Sequence, residues 1–353
     1  MLPFERDSAL LAPMVGISNR AFRTVVAELG EPDWCWTEMA SAEAFISHAQ
    51  YEEAYTDTFP LPGKTSIQFF ARSCEAMSAA CKLVAERDPE LRPAALDINF
   101  GCSAPHIRRM GGGSALSGDP DKAAALVAAA RSAWPYTLSA KLRMGPDGDY
   151  GRLLAYCRRL CDAGLDFLTI HPRIDSQKFR RSPHWEIIGA LGRDLSVPIV
   201  GNGDITGPKT FNAVLRDQRP YALMIGREAV RRPWLFRLIH ATQTTRDQND
   251  SPAERQPAAT ATAPSVSGAS LPFSIDLLHV GLRFIELQAS LSPPPFRLES
   301  ARRFFSYYCD NFSFAQYLKV KLCNAGNLSE MADRFAAYFD EVPADRILIE
   351  QGA

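Results

Sequence analysis

The feature that most constrains this fold is a regular alternation of short apolar runs and longer helical patterns between residues 8 and 240. Strands that are apolar nearly throughout and separated by helices predict a parallel sheet covered on its outer face. Eight such units in one stretch of chain predict a (β/α)₈ barrel. The predicted strands are Ala9–Met14, Trp34–Thr37, Thr65–Phe70, Leu96–Asn99, Thr137–Leu142, Phe167–His171, Pro198–Gly201 and Ala222–Ile225.

Recognisable helix ends support this alternation. Ser73 is placed to cap a helix through Glu86, and Asp119-Pro120 combines a capping residue with proline at the first helical position. Gly30 and Gly164 lie where helix C-caps belong. An open, doubly wound sheet is the alternative, but no G-x-G-x-x-G follows the first strand, which weakens it.

A change in composition divides the chain. Residues 246–272 contain no aromatic residue and only Val266 and Leu271 as large aliphatics, so we expect a flexible linker or insertion there. Helical patterns return from Phe273 onward. We therefore predict an α/β protein, with a TIM barrel at 1–245, the linker at 246–272 and a small C-terminal all-helical domain at 273–353.

Composition limits the classes of function. Lys and Arg total 39 against 40 Asp and Glu, so a nucleic-acid partner would have to be held by a local basic patch. Eight scattered cysteines and no secretory signal pattern predict reduced thiols in the cytoplasm, and the spacing of Cys157 and Cys161 does not indicate a metal site. No apolar run is long enough to span a membrane. We expect a cytoplasmic protein, without a membrane or metal site, and a monomer.

Polar groups or glycines follow nearly every predicted strand. This matters because the C-terminal ends of the strands in such a barrel face the active site. Taken singly, each has an ordinary structural explanation, such as a core histidine or a lysine with a buried stem. Their joint placement predicts a functional site. The residues concerned include Gln68, Asn99, Lys141, Arg143, His171, Arg173, Asn202, Asp204 and Arg227.

Two glycine turns, Gly201–Gly203 and Gly226-Arg227, follow the last two strands and predict a phosphate site. Lys141 and His171 lie on consecutive strands and can converge beside it. Cationic and polar donors next to a phosphate site suit a phosphorylated ring cofactor that gains negative charge, such as a reduced flavin.

Cys102 is the candidate acid–base or nucleophilic group. It leaves the fourth strand three residues beyond Asn99, and Gly111–Gly113 follows it as a loop that a large substrate could approach. A buried structural thiol is the ordinary alternative. Its position above the expected ring favours the catalytic interpretation.

Together these segments resemble the tRNA-dihydrouridine synthases over residues 10–240, and the helical tail resembles that family's tRNA-binding domain. The resemblance rests on Leu11-Ala12-Pro13-Met14, Thr37-Glu38-Met39, Asp97-Ile98-Asn99-Phe100-Gly101-Cys102, Lys141-Leu142-Arg143-Met144-Gly145, His171-Pro172-Arg173, Gly201-Asn202-Gly203-Asp204-Ile205 and Met224-Ile225-Gly226-Arg227.

The resemblance implies an FMN enzyme that uses NADPH to reduce a uridine in tRNA to 5,6-dihydrouridine. Hydride would pass from flavin N5 to uracil C6, and Cys102 would protonate C5. Asn99, Arg143 and Arg173 would bind the substrate. The residues implied to hold FMN are Pro13, Met14, Gln68, Lys141, His171, Asn202, Gly203, Asp204, Gly226 and Arg227.

The sequence departs from the family pattern beside Cys102, where Ser103 replaces a usual Pro and Pro105 a usual Lys. Arg108 and Arg109 are candidates to replace the missing cation in tRNA binding. Further basic residues with the same predicted role lie after the sixth strand and in the tail, namely Arg173, Lys178, Arg180, Arg181, Arg283, Arg297, Arg302, Arg303, Lys319 and Lys321.

Two other functions stay open at this point. The first is an FMN barrel that acts on a free pyrimidine, as dihydroorotate-type dehydrogenases do. The second is a nucleic-acid-binding barrel without redox activity. The basic loop after the sixth strand and the helical tail argue against the first, because a small-molecule enzyme needs neither. The colour of the purified protein tests the second, because a protein without flavin would not be yellow.

Overall fold

The computed structural model describes residues 2–177, 180–250 and 272–350. Eight parallel strands follow one another around a closed barrel, in which the last strand pairs with the first. This confirms the predicted TIM barrel. The strands are β1 (Ala9–Leu11), β2 (Trp34–Ser41), β3 (Thr65–Phe70), β4 (Ala95–Phe100), β5 (Thr137–Arg143), β6 (Phe167–His171), β7 (Ile199–Asn202) and β8 (Ala222–Ile225).

Helices cover the outside of the barrel or form part of the loops at its mouth. They are α1 (Arg20–Gly30), α2 (Ala42–Ile46), α3 (Cys74–Ala85), α4 (Pro105–Arg109), α5 (Pro120–Ala133), α6 (Tyr150–Asp162), α7 (Glu186–Asp194), α8 (Pro208–Gln218), α9 (Arg227–Arg231) and α10 (Leu235–Asp250).

Most of the predicted helix ends are confirmed. The side chains of Ser73 and Asp119 accept backbone N–H groups at the starts of α3 and α5. Gly164 follows α6 in the left-handed region, at φ +115°. The prediction for Gly30 was wrong by one residue, because the helix continues through it and Glu31 is the C-cap.

An apolar layer closes the N-terminal end of the barrel interior. Phe4 packs against Trp34 and Phe167, with ring centroids 5.8 and 5.3 Å away. The indole N–H of Trp34 donates to Ser66 Oγ at 2.8 Å, so this buried donor is satisfied. Packed side chains thus fill the barrel interior at this end.

The C-terminal region is mainly helical but differs from the all-helical prediction. It holds a two-stranded antiparallel sheet, because Phe273–Asp276, predicted as part of a helix, pairs as β9 with β10 (Ile347–Glu350). Helix α10 also runs five residues past the boundary predicted at 245; the rest of the predicted linker, 251–271, lies outside the described residues. The helices are α11 (Leu277–Leu291), α12 (Arg297–Tyr308), α13 (Ala315–Cys323) and α14 (Leu328–Glu341).

This region shares one hydrophobic core with the barrel. Phe304 of α12 stacks on Phe284 at 3.9 Å and contacts Phe22 of α1 at 6.2 Å. At the C-terminal end of the barrel, Arg303 donates to the Val15 carbonyl at 3.4 Å. The helical region is thus packed beside β1 and β8 and reaches the loop that follows β1.

In the part of the chain that the structure describes, no helix is long and apolar enough to cross a membrane. Over the same residues, no group of three or more His, Cys, Asp or Glu side chains is arranged to hold a metal ion. Cys157 is buried on α6 against the barrel core.

Candidate active site

One cavity at the C-terminal end of the barrel brings together every site residue predicted from the sequence. Its volume is about 220 Å³. Groups from all eight strands or the loops that follow them line it, which confirms the predicted convergence but does not assign roles. The lining residues are Ala12, Pro13, Met14, Val15, Met39, Gln68, Asn99, Gly101, Cys102, Lys141, Arg143, His171, Arg173, Asn202, Gly203, Asp204, Gly226 and Arg227.

A chain of hydrogen bonds fixes the polar floor of this cavity. The strand register places Gln68, Asp97 and Ser139 level with one another on β3, β4 and β5. The Gln68 amide donates to Asp97 Oδ2 at 2.6 Å, and the Ser139 hydroxyl donates to Asp97 Oδ1 at 2.5 Å. Because the Gln68 amide nitrogen faces the carboxylate, its oxygen is left to accept from Asn99 Nδ2 at 2.8 Å.

Asn99 connects this chain of hydrogen bonds to the loop that carries Cys102. Its Oδ1 accepts the backbone N–H groups of Gly101 at 3.1 Å and Cys102 at 2.8 Å. The Ser114 N–H donates to the Cys102 carbonyl at 2.9 Å from the other side. The backbone that carries the Cys102 thiol is thus held from both sides.

Gly113 allows this loop to close. It has φ +56°, and an added Cβ would lie 2.5 Å from the Cys102 carbonyl oxygen. A side chain would therefore push the two segments apart. The glycines that the sequence suggested as room for a large substrate also hold the Cys102 loop in place.

Two opposite charges lie under the cavity. Burial raises the pKa of Asp97 to about 6, although the hydrogen bonds from Ser139 and Gln68 oppose the change. Burial, with the nearby charge of Arg143, lowers the pKa of Lys141 to about 8, while Asp97 opposes it. Between about pH 6 and 8 both groups are charged, so the site offers a cation at the cavity wall.

His171 is held neutral on β6, the strand next to the one that carries Lys141. Burial and the cations around it, led by Lys141, lower its pKa well below the usual range. Its Nε2 lies 3.1 Å from Arg173 Nη1, so the imidazole accepts there and carries its proton on Nδ1.

Arg173 is 1% exposed, and its guanidinium donates to His171, Asp204 and the Arg181 carbonyl. Arg227 also donates to Asp204, at 2.7 Å. This geometry favours a positioning role for Arg173 over the substrate contact predicted from the sequence. It also makes Asp204 the common partner of two arginines rather than an open ligand.

The predicted phosphate turns lie side by side. Asn202 Nδ2 donates to the Met224 carbonyl at 2.8 Å and ties β7 to β8. Gly203 has φ +149°, and the next residue, Asp204, is left-handed at φ +47°. Such strain in a non-glycine residue is typical of functional sites. Gly226 has no side chain, which keeps this part of the cavity open beside Met14.

Sequence reasoning missed the residues that support the site from below. Asp97 and Glu38 were recognised only as letters of a motif, and Ser139 was not singled out. A polar residue in the middle of an otherwise apolar strand is the signal that could have found them. Glu38 is buried and accepts the Gly16 N–H at 2.5 Å, so it anchors the loop that carries Pro13 and Met14.

We expect Glu38→Gln to stabilise the protein at pH 8. Burial raises the pKa of Glu38 from 4.5 to about 7. Between these two pKa values the folded protein keeps a proton that the unfolded chain releases, so the free energy of unfolding falls as the pH rises. Neutral glutamine can still accept the Gly16 N–H and carries no buried charge. The free energy of unfolding at pH 8 should therefore rise by about 1–3 kcal/mol.

Urea unfolding at pH 4.5 and pH 8 measures this effect. The gain should be present at pH 8 and nearly absent at pH 4.5, and Glu53→Gln at an exposed position is the control. An equal change for Glu38→Gln at both pH values would contradict the burial argument.

Comparison with known proteins agrees with the geometry. The family model for dihydrouridine synthase (Dus) matches residues 10–266. The tRNA-dihydrouridine synthase B of Klebsiella pneumoniae is 31% identical over 234 residues, which are 66% of this chain and 71% of that protein. The protein of the same name from Pseudomonas putida is 30% identical over 234 residues, 66% of this chain and 68% of its own.

Among solved structures, a 2-naphthoyl-CoA reductase complex aligns with a TM-score of 0.51 and 10% identity, over 67% of this chain and 50% of that one. At that identity the likeness concerns the barrel fold alone. The family match covers the strands and loops that build the cavity, and the sequence resemblance is confirmed. This chain belongs to the dihydrouridine synthase family.

Proposed function

We propose that this protein reduces the 5,6 double bond of a uridine in tRNA, with a flavin as its resident cofactor, FMN in particular, and NADPH as the reductant. The observation that carries the proposal is the single cavity in which a cysteine loop, a half-buried lysine and the two phosphate-type turns meet. We further propose that the protein is a cytoplasmic monomer.

The residues present fit FMN. Among the described residues, no protein group makes a hydrogen bond or ion pair with the Lys141 ammonium, although the side chain lines the cavity. A cation placed in this way suits the ring edge of a flavin, which becomes anionic on reduction. Gly203, Gly226 and Arg227 would hold the phosphate, and Pro13 and Met14 would pack beneath the ring.

When bound, the flavin supplies the hydride for C6 of the uracil. The protein supplies the proton and the geometry. Cys102, whose backbone is held by Asn99, would donate its thiol proton to C5 as the general acid. Asn99 would also contact the uracil edge, while Lys141 stays charged below about pH 8 to offset negative charge in the cavity.

A uridine within folded tRNA must leave its stack to enter a cavity of this kind. The exposed arginines at the rim suit the phosphates on either side: Arg108 and Arg109 on α4, and Arg180 and Arg181 after β6. Lys178, predicted for the same role, lies outside the described residues.

The six cations predicted in the tail all have protein partners. Arg283, Arg303, Lys319 and Lys321 form ion pairs, while Arg297 and Arg302 donate to backbone carbonyls. Exposed ion pairs are weak and can exchange for phosphate. Among the described residues, the rim arginines have no ion-pair partner to exchange, so we assign them the larger share of tRNA binding.

Replacing Arg108 and Arg109 together with alanine should weaken tRNA binding about tenfold or more at moderate salt. The loss of two phosphate contacts should also reduce the slope of log affinity against log salt by about 1–2. Fluorescence anisotropy with labelled tRNA at several salt concentrations measures both. An unchanged affinity and slope would remove α4 from the interface.

The function itself is tested by mass spectrometry of tRNA from cells with and without the gene. Loss of a mapped dihydrouridine would support the proposal. In vitro, the purified yellow protein should reduce undermodified tRNA but not free uridine or orotate. Turnover of a free pyrimidine alone would favour the small-molecule alternative.

A further inference from the structure

A second cavity of about 550 Å³ lies beside the catalytic one, between the amino-terminal ends of α5 and α6. This size falls within the range of ligand sites, roughly 300–1,000 Å³. Its floor is apolar and less than a tenth exposed. The floor residues are Phe100, Leu142, Met144, Leu153 and Tyr156.

The Tyr156 hydroxyl is the feature that points to a ligand. It is buried and has no hydrogen-bond partner in the part of the chain that the structure describes, while its ring packs edge-on against Phe100 with the centroids 6.5 Å apart. Buried hydroxyl groups are normally satisfied, because an unmade hydrogen bond costs stability. A small rotation of the Tyr156 side chain towards the cavity would let a polar atom of a bound molecule satisfy this one.

The rim is rich in arginine. Arg152 pairs with Asp147 at 2.6 Å and Arg159 pairs with Asp121, and all four side chains are largely exposed. Such pairs are weak and a phosphate can displace the carboxylate. Arg143 lines both cavities, so it forms the wall between them.

We propose that this second cavity binds the adenosine-phosphate half of the dinucleotide reductant, while the nicotinamide half reaches past Arg143 into the catalytic cavity. The inference rests on the proposed function. The apolar floor suits a purine base, with the Tyr156 hydroxyl at its edge. Arg152 and Arg159 suit its phosphates, including the 2′-phosphate that distinguishes NADPH from NADH.

The cavity is separated from the helical region but not from the rim arginines. The cavity lies beside β4 and β5, on the opposite side of the barrel mouth from β1 and β8, where the helical region packs. The rim arginines assigned to tRNA lie closer to it, on the loops after β4 and β6. A nucleotide of the RNA is therefore the competing occupant, and the test below distinguishes the two.

The test uses the full-length, FMN-loaded protein and 2′,5′-ADP as a probe, with binding measured by isothermal titration calorimetry. Ala155 is an exposed α6 residue that lines the cavity, so Ala155→Trp fills it without disturbing the core. We expect Ala155→Trp to weaken 2′,5′-ADP binding more than tenfold and to raise the NADPH concentration needed for flavin reduction by a similar factor. Arg158→Trp, on the same helix but outside the cavity, is the matched control.

Two further variants separate the contributions of the base and the phosphate. Tyr156→Phe should weaken 2′,5′-ADP binding about two- to tenfold through the lost hydrogen bond. Arg152→Ala combined with Arg159→Ala should reduce the preference for NADPH over NADH about tenfold or more. Arg158→Ala should leave that preference unchanged.

Unaltered 2′,5′-ADP binding by Ala155→Trp would overturn the proposal. So would a loss of tRNA affinity with normal NADPH kinetics, which would reassign the cavity to RNA. The proposed function can fail separately. If tRNA is not reduced but Ala155→Trp still weakens 2′,5′-ADP binding, the cavity assignment stands and tRNA is rejected as the electron acceptor.

Discussion

Cys102→Ala is expected to lower the rate of tRNA reduction by about 10²–10⁴-fold, the usual contribution of a positioned general acid. The variant should still bind FMN and accept electrons from NADPH, because the thiol supplies a proton to the uracil and not an electron to the flavin. The Cys102 backbone, held by Asn99 and Ser114, does not depend on the side chain, so the loop should keep its shape.

Single-turnover measurements separate the two half-reactions. The enzyme is first reduced by NADPH without oxygen and then mixed with undermodified tRNA, and flavin reoxidation is followed by absorbance. Cys323→Ala, which removes an exposed thiol on α13, is the control and should behave as the wild type. Wild-type reoxidation by Cys102→Ala would remove the acid role.

Lys141→Met is expected to slow flavin reduction by NADPH about 10²–10³-fold. The lysine is the cation at the cavity wall, and no described protein group offsets its charge through a hydrogen bond or ion pair. Methionine keeps the length of the side chain and removes only the charge and the donor. Anaerobic stopped-flow absorbance measures the rate, with Lys122→Met at an exposed position on α5 as the control.

The pH dependence gives an independent check. Since burial lowers the pKa of Lys141 to about 8, its charge is present at pH 7 and lost as the pH rises to 9. FMN binding by the cofactor-free protein should weaken over this range. Lys141→Arg, which keeps a charge at every pH tested, should flatten the profile. A wild-type profile that is already flat would contradict the role of this cation.

The sequence was sufficient for the barrel and for the list of residues around the cavity. Lys141 and His171 could be placed because the C-terminal ends of parallel strands in a barrel always face the same mouth. Glycine turns and helix caps are likewise local features, and the structure confirmed most of them within a residue.

The contacts beneath the site could not be predicted in the same way. Asp97 lies beside Gln68 and Ser139 only because of the register of three strands, and register depends on the whole closed sheet. Arg173 turns towards Asp204 for a similar reason, since its partner is thirty-one residues away. The β9 strand was missed because its partner, β10, lies at the other end of the C-terminal region.

The shared core of the barrel and the helical region has a practical consequence for dissecting the enzyme. A chain cut after α10 would leave Phe22 without Phe304 and Trp234 without Glu350, whose carboxylate accepts the indole N–H at 2.8 Å. The cut would expose a broad apolar face on the outside of the barrel. The helical region therefore cannot be exchanged on its own. Any chimaera with a relative must also transplant the matching outer surfaces of α1 and α9.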